Sequence, residues 1–286
     1  MNKTKKILIL GGGQAAAYAA KEIRLIDKNS DITIISDEKY LPYEKPPLSK
    51  DYVLDKVTFD DLLFFSENFY KENNIKFKGS TKITKVDFDN KKISCSLNTY
   101  QYDRLLIATG CSNRHLKING EIILPEENII YLRSFEESNN LKNKINKANN
   151  ITIIGGGFIG LEIASSALQK GKNVTILEKG EQLMGRVIPK QIANLILEKH
   201  ESEGAKINLN TQIENIKKHN KTFKIYLNTN QILTSDLIII GVGSIPNTDI
   251  FNNTSLKVDN GIITDEFSAT SIEDVYAAGD VSNFYH

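Results

Sequence analysis

Short apolar runs, each stopped by glycine or by a polar turn, recur along this chain. Residues 5–10 form the first, closed by Gly11-Gly12-Gly13-Gln14-Ala15-Ala16 and followed by helical spacing to about residue 27. A second run at 31–35 ends in Ser36-Asp37. The same order returns at 151–154, Gly155-Gly156-Gly157-Phe158-Ile159-Gly160, a helix to about 170, and 174–177 ending in Glu178. Each copy predicts a strand, a glycine turn, a helix and a second strand. Strands in such parallel βαβ units read as near-continuous apolar runs because both sheet faces are covered. The stretches between have another texture. Residues 81–89, 92–97 and 102–107 surround polar turns such as Asp89-Asn90-Lys91 and predict an antiparallel meander; 213–218, 223–227 and 237–240 predict another. The asparagine-rich stretch 139–150 reads as a helix with a polar outer face, since Leu141 and Ile145 keep helical spacing.

Composition narrows the class without naming a function. At 286 residues, with 40% hydrophobic and 25% charged, the chain fits a soluble globular protein of two packed units. Lys+Arg 36 against Asp+Glu 35 leaves a formal charge of +1, which argues against a nucleic-acid partner. No apolar run approaches the roughly 18–20 residues that span a bilayer, so no membrane association is expected. The basic start, Met1 to Lys6, precedes only four apolar residues before the glycines, which suits a buried first strand better than a signal peptide. Cys95 and Cys111 make no disulfide framework, placing the protein in the cytoplasm. His115, His200, His219 and His286 fit no ligand spacing, so no metal is expected.

The glycine turns carry the chemistry. Gly11-x-Gly13-x-x-Ala16 and Gly155-x-Gly157-x-x-Gly160 both match a dinucleotide fingerprint. The first glycine permits the tight turn, the second lets backbone N–H groups approach a pyrophosphate, and the third allows close helix–strand packing. The helix N-terminus adds partial positive charge. Asp37 and Glu178 follow about 20–25 residues beyond their glycines, where a carboxylate accepts from ribose hydroxyls. Two such sites imply two dinucleotides, and a flavin with a nicotinamide is the pairing in which hydride passes directly between them. The short strand before Gly279-Asp280 would deliver Asp280 to a polyol such as ribityl. The strand 105–107 ends in the small-residue turn Ala108-Thr109-Gly110.

With these motifs the sequence resembles the FAD-dependent pyridine nucleotide-disulfide oxidoreductases, in their ferredoxin and putidaredoxin reductase branch. The resemblance rests on the first glycine turn, Leu41-Pro42-Tyr43-Glu44-Lys45-Pro46-Pro47-Leu48-Ser49-Lys50, Ala108-Thr109-Gly110, Tyr131-Leu132-Arg133-Ser134, Gly155 to Glu162, and Thr270 to Asp280. It runs from residue 7 to 281 in the family's order, and the Pro-Pro-Leu-Ser-Lys segment is specific to the branch. It implies an α/β fold of two Rossmann-like domains with parallel sheets and antiparallel meanders. An FAD domain of residues 1–112 and 244–286 would carry an inserted NAD domain, 113–243. Relatives continue past the Gly-Asp segment into a third, C-terminal domain, which is absent from this sequence.

By the same resemblance FAD would meet Gly11, Gly13, Gln14, Ala15, Asp37, Lys45, Lys50, Ile83, Ala108, Thr109, Gly110, Arg133, Gly279 and Asp280. Asp37 would bind the ribose, Ile83 the adenine side through its backbone, and Lys45 with Arg133 the pyrophosphate. Lys45 stands where relatives often carry Arg, keeping the charge but not the bidentate fork. NAD would meet Gly155, Gly157, Phe158, Ile159, Gly160, Glu178, Arg186, Gly241 and Gly243. Lys50 and Glu162 would form an ion pair across the domain interface at the reaction centre. Two prolines stiffen the loop before Lys50, whose ammonium would favour the negative charge that follows hydride arrival. Glu178 favours NADH over NADPH by repelling a 2′-phosphate, although Lys179 and Arg186 are nearby cations. Neither cysteine has the spacing of a redox pair or the position of a single peroxidatic thiol, so a dithiol mechanism is excluded.

The function implied is an NADH-dependent flavoprotein that passes single electrons to a small [2Fe-2S] ferredoxin or a rubredoxin, as the reductase of an oxygenase system. Two alternatives stay open: a truncated or non-catalytic FAD- and NAD-binding module resembling the apoptosis-inducing factors, and a rubredoxin- or nitrite-reductase-type enzyme with another acceptor.

Overall fold

A computed structural model describes residues 4–185 and 187–284. Arg186 therefore lies outside the described residues. The chain forms two compact units, one of Met1–Glu44, Asp60–Ser112 and Ile245–His286, the other of Lys45–Phe59 and Asn113–Ser244.

The first unit is built on five parallel strands in the order Val275–Ala277, Arg104–Ile107, Lys6–Leu10, Asp31–Ile35 and Ile75–Lys78. Ile9, Ile34 and Ile107 are wholly buried, as the unbroken apolar runs require. Helix α1 (Gln14–Ile26) meets the sheet through Ala16, Ala17 and Ala20, whose small side chains permit close approach. Ser66 caps the short helix α2 (Glu67–Glu72) by accepting from the Phe69 N–H. Strands Ile83–Asp87, Lys92–Cys95 and Thr99–Gln101 form an antiparallel meander.

The second unit repeats the plan. Its parallel sheet runs Ile129–Tyr131, Leu237–Ile240, Asn150–Ile154, Asn173–Leu177, Lys206–Asn208. Helix α3 (Phe135–Lys147) begins with a capping box between Ser134 and Glu137 and buries Leu141 and Ile145. Helix α4 (Phe158–Gln169) follows the second glycine turn, and α5 (Lys190–Ser202) precedes the last parallel strand. Ile213–His219, Thr222–Leu227 and Ile232–Ser235 make the second meander.

Two expectations, one in each meander, are corrected. The third strand of each meander is not the apolar run at 102–107 or 237–240 but a short segment before it, Thr99–Gln101 and Ile232–Ser235. Leu237 to Ile240 are buried on both faces, so the run belongs to a covered parallel sheet, as does Arg104–Ile107. Cys95 is half-buried at a strand end, where Ile93 is the inward residue; Cys111 is the buried thiol. Among the described residues no helix is long and apolar enough to cross a membrane, and no group of His, Cys, Asp and Glu could hold a metal ion.

Candidate functional site

The two glycine turns are built on one physical plan. Gly11 has φ +111°, and a Cβ there would lie 2.0 Å from the Ala108 carbonyl oxygen. Gly155 has φ +104°, and its Cβ would lie 2.4 Å from the Gly241 oxygen. In both, only glycine lets the first strand turn beneath its neighbour. The second glycines behave oppositely: a Cβ on Gly13 or Gly157 would meet nothing within 4 Å. Each is the N-cap of its helix and provides no side-chain cap, so the first N–H groups of α1 and α4 receive no capping side chain. That is the arrangement a pyrophosphate needs, and the residues present fit one in each unit. Gly160 packs the helix down, its Cβ position 2.2 Å from the Gly155 oxygen.

Around the first turn the structure gathers Gln14, Ala15, Ala108 and Gly279. Gly279, with φ +81°, comes within 3.2 Å of the Ala15 Cβ, measured from where its own Cβ would stand. The exposed Asp280 accepts from the buried Cys111 thiol at 3.4 Å. Sequence reasoning missed Asn247, which fixes the Ala108-Thr109-Gly110 turn. Its side-chain amide donates to Thr109 O (2.8 Å), its N–H donates to Gly110 O (2.9 Å), and its carbonyl accepts from the Thr109 hydroxyl (3.2 Å). Ile83 opens the first meander strand and is half-buried.

Around the second turn, Glu178 is anchored at both oxygens. Oε2 accepts from the Gly156 N–H and Oε1 from the Gly180 N–H, each at 2.7 Å. Phe158 and Ile159 begin α4 exposed, at 57% and 39%. Gly243 has φ +112° and accepts the Arg114 N–H at 2.9 Å.

The acids after the two second strands are not equivalent in place. Glu178 N–H donates to Asn208 O across the sheet edge, and its counterpart in the first unit is Ser36, whose N–H donates to Lys78 O. The Ser36 hydroxyl also lies beside Gly12 as Glu178 lies beside Gly156. Asp37 is therefore one residue farther on and exposed. Glu38 beside it accepts from the Tyr43 hydroxyl at 2.5 Å.

A third cluster lies in the second unit. Pro46–Ser49 forms a 3-10 turn with prolines at its start, and Lys50 follows it. The Lys50 Nζ is 2.8 Å from Glu162 Oε1, and the Ser49 hydroxyl donates to Glu162 Oε2 at 2.5 Å. Both carboxylate oxygens thus receive a donor from consecutive residues. Because Lys45–Phe59 clusters with the second unit, this pair sits inside one unit rather than across a domain boundary. Lys45 Nζ donates to the Arg133 backbone carbonyl at 3.3 Å, and the Arg133 backbone N–H donates to Glu137. Asp55, at the far end of the segment, pairs with Lys142 and Lys170. Hydrogen bonds from these two ammonium groups hold its carboxyl below the usual carboxylate range.

Comparison with known proteins agrees with this geometry. The family described as pyridine nucleotide-disulphide oxidoreductase matches residues 5–285. Rubredoxin-NAD(+) reductase of Pseudomonas putida is 34% identical over 276 residues, covering 96% of this chain and 71% of that protein. The ferredoxin–NAD(+) reductase component of the 3-phenylpropionate/cinnamic acid dioxygenase of Photorhabdus laumondii is 33% identical over 281 residues, 98% of this chain and 70% of the relative. A crystal structure of a covalent putidaredoxin reductase–putidaredoxin complex superposes with a TM-score of 0.93 at 28% identity, covering 100% of this chain and 69% of that one.

Proposed function

This chain belongs to the pyridine nucleotide-disulphide oxidoreductase family, and from that premise we propose that it is an NADH-dependent flavoprotein reductase that delivers electrons to a small iron–sulfur protein, a rubredoxin or a [2Fe-2S] ferredoxin. The observation that carries the reading is the duplicated open helix N-terminus, at Gly13 and at Gly157, each beneath a glycine that no other residue could replace without collision. The first unit would be the FAD domain and the second the NAD domain. When bound, FAD would accept a hydride from the nicotinamide and release electrons singly to the acceptor.

The chain's own residues would then have these tasks. The N–H groups at the start of α1 and α4 hold the two pyrophosphates. Asp280 accepts from the flavin's polyol, and Lys45 and Arg133 offset phosphate charge. The Lys50 ammonium, steadied by Glu162, supplies positive charge where negative charge develops. Glu178, pinned by two backbone amides, accepts from the 2′-hydroxyl of the adenosine ribose of NADH and repels a 2′-phosphate there, which favours NADH. Cys95 and Cys111 lack the spacing of a redox pair, so the proposed electron path does not run through a protein disulfide. With no disulfide framework, the cytoplasm is the proposed setting.

The test is to purify the protein, record its flavin spectrum, and add NADH or NADPH without oxygen, followed by rubredoxin or ferredoxin. Bleaching by NADH and reoxidation by either acceptor is the expected result. A protein that takes up no flavin on reconstitution overturns the reading. One that bleaches but reoxidises with neither acceptor overturns only the acceptor.

A further inference from the structure

Residues 45–56 fold back on themselves, and the carbonyls there are mostly satisfied locally. Lys45 O accepts from Leu48 N, Pro47 O from Lys50 N and Tyr52 N, Lys50 O from Leu54 N, and Asp51 O from Lys56 N. The Ser49 hydroxyl also reaches Pro46 O, at 3.3 Å. The carbonyls of Leu48 and Ser49 are handled differently. Ser138 Oγ, on α3, donates to Leu48 O at 2.6 Å, and Ser166 Oγ, on α4, donates to Ser49 O at 2.8 Å. The two serines are 0% and 1% exposed.

Serine suits a helix interior less well than alanine, so neither hydroxyl is explained by its own helix. What each does is fix one of the two peptide units immediately ahead of Lys50. Ser166 stands four residues after Glu162, on the same face of α4. That face therefore grips Ser49 twice, hydroxyl to Glu162 and carbonyl to Ser166, while Glu162 takes the Lys50 ammonium. α3 grips the preceding residue. Two helices thus clamp the backbone from which Lys50 projects.

We propose that Ser138 and Ser166 are positioning residues that act through Lys50: their buried hydroxyls fix the Leu48 and Ser49 carbonyls and thereby set the place of the ammonium that meets developing charge on the flavin. This rests on the reading of Lys50 and Glu162 given above. The clip needs no contact of its own with a cofactor. Its effect falls on the rate of flavin reduction rather than on NADH affinity, because the α4 N-terminus and Glu178 keep their places.

The experiment compares Ser138→Ala, Ser166→Ala, Lys50→Ala and the Ser166→Ala/Lys50→Ala double variant. In the flavin-free protein, amide hydrogen exchange is followed over residues 46–52. In the flavin-loaded protein, the flavin reduction rate at saturating NADH and the NADH Kd are measured. Each serine variant should exchange faster over 46–52 and reduce flavin about 3- to 30-fold more slowly, with Kd within about twofold of wild type. Adding Ser166→Ala to Lys50→Ala should cost nothing further, since the clip acts only through that ammonium. Ser138→Ala tests the same clip from the other helix should Ser166→Ala not fold. Slow Lys50→Ala with wild-type rates in both serine variants, or full additivity in the double variant, overturns the clip alone. A wild-type rate in Lys50→Ala overturns the role of Lys50 and the proposal built on it, and the exchange data then report a structural clip with no bearing on reduction.

Discussion

The two glycines of each fingerprint have opposite physical duties, and substitution should separate them. At Gly155 a methyl group would enter the Gly241 carbonyl and would require a left-handed backbone that alanine adopts at a cost. Gly155→Ala should destabilise the second unit by about 2 kcal/mol or more and be seen directly in thermal melting. At Gly157 the backbone is extended and the Cβ direction is empty. Gly157→Ala should leave the stability within about 1 kcal/mol of wild type while weakening NADH binding, because the methyl group fills the approach to the helix N–H groups. Equal losses of stability in the two variants would contradict this division. The glycines were legible in the sequence because their spacing reports a backbone conformation. The acid after the first unit's second strand was less so. Asp37 has the right residue type near the right distance, yet Ser36 holds the place that Glu178 holds in the second unit. A shift of one residue at a strand end leaves no trace in composition. Asn247 and the Ser49 hydroxyl were invisible for a related reason: their partners are far away in the chain.

Among the elements, helix ends and strand ends carry interactions that periodicity does not announce. Arg24 is 6% exposed, in the last turn of α1. Its guanidinium donates to Asp27 O and Ser30 O just past its own helix, and to Asn73 O and Asn74 O at the end of α2. One planar fork thus ties off two helices, and a lysine could not reproduce it. Arg24→Lys should cost about 2–4 kcal/mol, measured as a fall in melting temperature, because several carbonyls lose their donor at once. A second junction lies at the strand Val275–Ala277. Asp274 precedes it with φ +64° and pairs with Lys91 and Arg104. The hydrogen bond from Lys91, with the charges of Arg104 and Lys91, holds its carboxyl below the ordinary value of 3.8 against opposing desolvation. A carboxyl whose folded-state pKa is depressed contributes stability above its unfolded pKa, about 4, and loses it as pH falls through the folded value. Asp274→Asn should therefore be less stable than wild type at pH 7, and the two should converge on acidification below about pH 4. A constant difference in melting temperature between pH 7 and pH 3 would count against it. The meanders illustrate the limit of reading strands from hydrophobicity. Their third strands are short, three and four residues, and each is followed at once by a more apolar run that hydrophobicity alone favours as the strand. Only sheet neighbours reveal that Leu237 to Ile240 are covered on both faces.

Over the whole molecule, the segment 45–59 leaves the fold of its sequence neighbours and becomes part of the second unit. A sequence read in contiguous blocks assigns it to the first, because nothing in Pro46 to Phe59 states which helices it will meet. The contacts do. Phe135, at the start of α3, packs against Tyr52 and Phe59 with ring centroids 5.1 and 4.3 Å away. Lys142 and Lys170 close on Asp55, Lys142 lies over the Tyr52 ring, and Ser138 and Ser166 hold Leu48 and Ser49. The second unit is thus composed of one long stretch and a distant short one. Expressing 113–244 alone should uncover Phe135 and leave the Ser138 and Ser166 hydroxyls without their carbonyl partners. Such a fragment should melt below the corresponding transition of the intact chain. A peptide of residues 45–59 added in trans should raise its melting temperature and slow amide exchange in α3 and α4, because binding to the folded state alone stabilises it by mass action. The Asp55→Ala form of the peptide should bind more weakly, and more so at low salt, where its ion pairs with Lys142 and Lys170 are least screened. A fragment as stable as the intact chain, indifferent to the peptide, would mean that the segment only rests on a unit complete without it.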